Sequence, residues 1–156
     1  MYRIRMKRVN KYSIIREDAM IQIGRYNPDA WGLSTRNIVD PHEIVIVDNE
    51  IIIDFDYPLS STFSFKVRSL TDHGFTRKML VDAIVLVYQT IYREENETST
   101  IREEMINNGS PLTRNRTNGY YAIHSYRLED LMLEKLEYDP ATQKVKIYMG
   151  HNIRMW

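Results

Sequence analysis

FTRKMLVDAIVLVYQTIY, residues 75–92, is the stretch whose reading decides the fold. Leu80, Ala83, Ile84, Val87 and Ile91 recur at helical spacing, and Val81, Val85, Tyr88 and Tyr92 form a second stripe one position along. At about 100° per residue the stripes merge into an apolar face roughly 200° wide, more than one neighbour can cover. Lys78, Asp82, Gln89 and Arg93 take the remaining side, with Leu86 an apolar exception among them. Thr76 is placed to cap the first turn through its hydroxyl, and Phe75 and Leu80 stand at the spacing of a hydrophobic staple. At the far end Glu94, Glu95 and Glu97 meet the negative end of the helix dipole, so fraying near Asn96 is expected.

Around this helix the pattern is that of strands. Tyr2 to Val9 alternates apolar residues with Arg3, Arg5 and Lys7, a strand with a basic outer face. A short strand is expected near Met20 to Ile23. Turn formers dominate from Gly24 to Pro41, with Trp31 among them as a core anchor or an interface contact. The β-branched runs EIVIV and IIIDF, separated by Asp48-Asn49-Glu50, predict a hairpin over Glu43–Phe55. Phe63, Phe65 and Val67 alternate with Ser64, Lys66 and Arg68, a half-buried antiparallel strand. The acidic run after the helix predicts a solvent-facing continuation to Ile106, broken by Asn107-Asn108-Gly109-Ser110-Pro111. Tyr120 to Ile123 reads as a short strand, Leu128, Leu131 and Met132 as a helical turn, and Leu133–Tyr138 with Val145–Met149 as a hairpin about the Asp139–Thr142 turn. The expected fold is therefore α+β: a mostly antiparallel sheet packed around one long central helix at about 76–95, with a C-terminal β-hairpin. The 156 residues are expected to form a single domain with a mobile loop at about 96–118.

Composition narrows the function classes. Twenty-one basic residues balance 21 acidic ones, whereas a dedicated nucleic-acid-binding domain carries a basic excess. The absence of cysteine excludes disulfides, thiol catalysis and zinc–thiolate sites. No run approaches the roughly 18 apolar residues of a membrane span, and the basic N-terminus lacks the apolar stretch of a signal peptide. An intracellular, cytoplasmic protein, or a virion protein if the source is viral, with no membrane partner is the expectation.

Motifs that carry chemistry are few. Glycine-rich phosphate loops, nucleophile elbows and HExxH are absent. Asp54 and Asp56 would share one strand face near Asp48, but no histidine or further carboxylate stands at ligand spacing, so neither a metal nor a cofactor is expected. If the protein is an enzyme, the candidates are His73, His124 and Tyr120, in a pocket that would also hold Arg77 and Arg116. Binding candidates are Trp31, Arg77, Arg114, Arg116 and Trp156, the two loop arginines being suited to an acidic partner or a phosphate.

The succession FTRKMLVDAIVLVYQTIYREE, TNGYYAI and LEDLMLEKLEYD resembles an uncharacterised protein family of eukaryotes and large DNA viruses. The resemblance covers about residues 75–150: a helix ending in tyrosine and acidic residues, a Thr-x-Gly-x-Tyr segment and a Leu-x-Asp-Leu segment. It implies a domain and no reaction. The leading functional expectation is a non-enzymatic interaction or structural protein, part of a larger viral or cellular assembly, with a protein partner or a second copy of itself. The alternatives are a small enzyme or ligand-binding protein at His73 and His124, and an RNA-binding domain using the basic N-terminal strand and the Arg114/Arg116 loop.

Overall fold

In the computed structural model, residues 21–24, 26–28, 37–106 and 113–151 are described. The strand expected over residues 2–9, Trp31 and Trp156 lie outside them. Among the described residues the architecture is α+β, a five-stranded mixed sheet with one α-helix against it. The sheet is ordered β1 (Ile21–Gln22), β8 (Leu131–Asp139), β9 (Lys144–His151), β3 (Glu50–Phe55), β4 (Phe63–Arg68). All its pairings are antiparallel except β3 with β9. The expected C-terminal hairpin is β8–β9. Two short pairs complete the described residues: β2 (Ile44–Ile46) with β5 (Phe75–Thr76), and β6 (Met105–Ile106) with β7 (Thr113–Arg114).

The helix, α1, runs Arg77–Thr98. Thr76 caps it as its sequence predicts, its hydroxyl accepting from the Met79 amide at 3.1 Å. The buried stripe is Arg77, Leu80, Val81, Ile84, Val85, Tyr88, Ile91, Tyr92 and Glu95. It lies on the sheet through Ile51, Ile53 and Phe55 of β3, Leu131, Leu133 and Leu136 of β8, and Val145 of β9, all buried. Phe55 sits at the centre, edge-on to Tyr88 at 5.0 Å and to Phe65 at 5.4 Å. Each fully buried aliphatic side chain contributes roughly 1.5–3 kcal/mol. In β8 the inward parity slips from Leu131 and Leu133 to Leu136 and Tyr138, because a bulge between Leu133 and Lys135 inserts one extra residue.

Four local expectations are corrected. The run over Glu43–Phe55 is not a hairpin: β2 pairs with β5, and β3 with β4. The Asp48-Asn49 corner is held by distant partners instead. The Asn49 side chain accepts from the Gly74 amide at 2.8 Å, its carbonyl accepts from Ser69 at 2.7 Å, and Asp48 accepts from the Tyr138 hydroxyl. β-Branched runs specify strands but not their partners. The helix stops at Thr98, and Met105–Ile106 is a strand, not a helical continuation. Tyr120–Ile123 is irregular, and its amides are turned toward the helix. Leu128–Asp130 is a 3-10 turn, after which Leu131 and Met132 already belong to β8. Of the loop expected at 96–118, residues 96–98 finish the helix and 113–118 are bonded to it and its surroundings, while 107–112 lie outside the described residues.

Gly74 allows β2 and β5 to approach. Its φ is +84°, and a Cβ there would lie 2.0 Å from the Ile46 carbonyl oxygen. Gly74→Ala should destabilise the protein by on the order of 2 kcal/mol, read as a lower urea midpoint at unchanged slope.

Candidate functional site

The last turn of α1 supports the surface at this end of the molecule. Glu95 is fully buried, and its carboxylate accepts from the Thr117 hydroxyl at 2.5 Å and from the amides of Gly119 (2.9 Å), Tyr121 (2.9 Å), Ala122 (3.2 Å) and Ile123 (3.3 Å). Burial alone would raise this carboxyl, but the hydrogen bonds from Thr117 and the loop amides outweigh it and hold it below its ordinary value. Gly119 is required by the close approach, since a Cβ there would sit 2.5 Å from a Glu95 oxygen. Arg114 completes the support. It is buried, donating to Thr117 at 2.7 Å, to Glu103 at 3.1 Å and to the Asn115 carbonyl at 3.0 Å, with its guanidinium 5.8 Å from the Tyr92 ring centre. Asn118 caps the helix end, accepting from Ser99 Oγ and the Thr100 amide.

This wrapped segment presents Arg116, Tyr120 and His124. Arg116 donates to Ser60 Oγ at 2.7 Å, and Ser60 donates to the Ala122 carbonyl. Tyr120 is 69% exposed, yet its ring is placed by Tyr121 at 4.9 Å and Phe63 at 5.5 Å. His124 shares a hydrogen bond with Ser125 Oγ at 2.9 Å. Burial, followed by the charges of Arg116 and Arg114, lowers its pKa below the ordinary 6.5. An NMR titration should place the His124 midpoint below 6.5, and Arg116→Gln should move it upward.

The sequence-derived pocket is not assembled. His73 is exposed before the N-terminus of α1, and Arg77 is buried there, paired with Glu43 at 2.6 Å. Arg116, Tyr120 and His124 surround the other end. Arg77 and Glu95 are roughly 27 Å apart at the ~1.5 Å rise of a helix. Arg77 and Arg114, read as binding residues, are held inside the fold, and Arg116 alone of the three arginines is exposed. Asp54 and Asp56 open onto a groove of ≈ 930 Å³ on the outer sheet face, where Asp54 faces Lys144 at 3.7 Å. Among the described residues no group of three side chains is arranged to hold a metal, and no helix is long and apolar enough to cross a membrane.

What the sequence reading missed lies along β4. Among the described residues β4 has β3 on one side and no strand on the other. Ser69 N–H donates to Asn49, so by antiparallel alternation the odd residues Phe63, Phe65 and Val67 bond β3. Ser64, Lys66 and Arg68 turn their N–H and C=O groups to the open edge. Beneath that edge is a largely apolar groove of ≈ 260 Å³ formed by Val67, Leu70, Met79, Ala83, Leu86 and Val87, with Arg68 and with Asp82, which is held by Lys78 and Tyr26, also on its lining. Met79, Ala83, Leu86 and Val87 stand at i, i+4, i+7 and i+8, the flank of the helix's wide apolar face that the sheet does not cover. Leu70 is 93% exposed and Leu86 52%. Phe63 and Tyr120 stand at the opposite end of the same strand. The groove falls below the roughly 300–1,000 Å³ of small-molecule pockets and suits inserted side chains. Leu86, the apolar exception on the polar side of the helix, was its signal in the sequence. Comparison with protein-family models, with curated proteins and with solved structures gave no match.

Proposed function

We propose that the chain is a non-enzymatic protein-interaction module that takes a partner along β4 and the uncovered flank of α1, as a component of a larger assembly. The observation that carries this is the coincidence of an open strand edge with an apolar groove directly beneath it. Open edges in folded proteins are usually covered, twisted away or blunted, and an edge beside exposed leucines is a template for a partner. The exposed Tyr120–Phe63 corner adds an aromatic contact of the kind enriched at interface hot spots. The chemistry at Arg116, Tyr120 and His124 is better suited to contact than to catalysis. His124 is paired with a neighbouring serine, and neither groove described above includes any of the three.

Selection of displayed random peptides on the wild-type protein, with counter-selection on Leu86→Asp, tests the reading. Enrichment of peptides that lose about tenfold or more in affinity on Leu86→Asp is expected. Enrichment indifferent to Leu86, or none, would remove the basis for the proposal. Light scattering separates a heterologous partner from self-assembly.

A further inference from the structure

We infer that the partner of this edge is an extended segment alternating acidic with apolar residues, added as a sixth strand beside β4; this rests on the interaction reading above. The strand itself dictates the pattern. A residue placed opposite Lys66 or Arg68 shares their outer face, and its neighbours in sequence point inward toward Val67 and the groove. The inward positions therefore require apolar side chains to meet Leu70, Met79 and Leu86. The outward positions meet cations. Lys66 and Arg68 are 66% and 78% exposed at their side chains and share one carboxylate, Glu50, at 3.9 and 3.2 Å. That leaves a net positive charge on the outer face of the edge, which an incoming glutamate or aspartate would neutralise. The outward backbone groups of Ser64, Lys66 and Arg68 supply the ladder bonds.

The same charges select against a second copy of this chain. Antiparallel pairing of two β4 strands about a two-fold axis brings Lys66 and Arg68 of one against those of the other, and like charges directly opposite are destabilising. A lysine-bearing edge is a common guard against self-pairing. The inferred occupant is accordingly a different chain.

The test uses two labelled, end-blocked peptides of about seven residues, long enough to span β4. One alternates glutamate with valine, and the other has lysine for each glutamate. Fluorescence anisotropy at low salt should show the glutamate peptide binding about tenfold or more tightly than the lysine peptide. The double variant Lys66→Glu/Arg68→Glu should invert that preference, and Leu86→Asp should weaken both peptides. Amide exchange should show Ser64, Lys66 and Arg68 gaining protection when the glutamate peptide is bound. Equal binding of the two peptides, still lost on Leu86→Asp, would overturn the acidic chemistry and leave the interaction reading standing. Binding without protection of those amides would overturn strand addition. If neither peptide binds while displayed peptides dependent on Leu86 are recovered, the inferred pattern fails and the interaction reading survives. If no peptide from either source depends on Leu86, both fall together.

Discussion

Replacing Glu95 by alanine should cost about 3–5 kcal/mol, a large part of the 5–15 kcal/mol that holds a domain together. The change leaves four loop amides and the Thr117 hydroxyl without their common acceptor, a carboxylate that is itself fully buried. The midpoint of thermal unfolding should fall by on the order of 10 °C. Glu95→Gln should recover little, because its amide group turns a donor toward donors. If glutamine restored most of the stability, packing and not the carboxylate would organise the loop. Acid should weaken the same site. The folded-state pKa of Glu95 is lowered, so the stability it contributes is fully present above its unfolded value of 4.5 and is lost as pH falls through the lower folded value. His124, also lowered, acts in the same direction from about its unfolded 6.5 downward. In both cases the unfolded chain binds more protons than the folded one, so stability rises with pH across this window. The Glu95→Ala variant should lose the lower part of that dependence and keep the part due to His124.

The helix could be read from the sequence because its period and cap are local properties of consecutive residues. Thr76, Leu80, Ile84 and Tyr88 are where the 3.6-residue repeat puts them. The role of Glu95 was hidden by its neighbours: Glu94-Glu95-Asn96-Glu97 looks like a solvated end, and dipole reasoning predicts fraying there. One signal was present. Glu95 stands three residues after Tyr92 and four after Ile91, so it continues the buried stripe, as Arg77 does at the opposite end. A charge on that stripe has to be buried and paired. Its partners, 22 to 28 residues farther on, had no pattern to announce them, because a loop that donates amides to a carboxylate has no side-chain period. For a similar reason β2 and β3 resemble a hairpin in the sequence: two adjacent β-branched runs look like partners, but Asn49 binds Gly74 instead. The width of the helical face requires more than one neighbour. The sheet covers the stripe of Leu80, Ile84 and Tyr88, and Met79 with Leu86 is left for the groove.

Arg114→Ala should cost nearly as much as loss of Glu95, about 3–5 kcal/mol, even though an arginine in a polar stretch of sequence is ordinarily a solvated side chain. Its guanidinium has no exposed surface and bonds Glu103, Thr117 and a main-chain carbonyl, while its apolar stem packs in the interior. Removing it strands the partly buried Glu103 carboxylate. Arg114→Met restores the volume without the charge and should recover part of the loss, which separates packing from pairing. The two sites are also chemically linked. Thr117 Oγ1 accepts from Arg114 and donates to Glu95, so a single hydroxyl orients one charge toward the other through a buried relay. Once either end is gone, Thr117 is free to rotate and the second removal costs less. A double-mutant cycle on Glu95→Ala and Arg114→Ala, followed by urea unfolding, should therefore return a coupling of about 1–2 kcal/mol, with the double variant more stable than the sum of the singles implies. Thr117→Val, which keeps shape and deletes the hydroxyl, should abolish that coupling. Additive single effects would mean that Glu95 and Arg114 secure the loop independently, and that Thr117 only fills space between them.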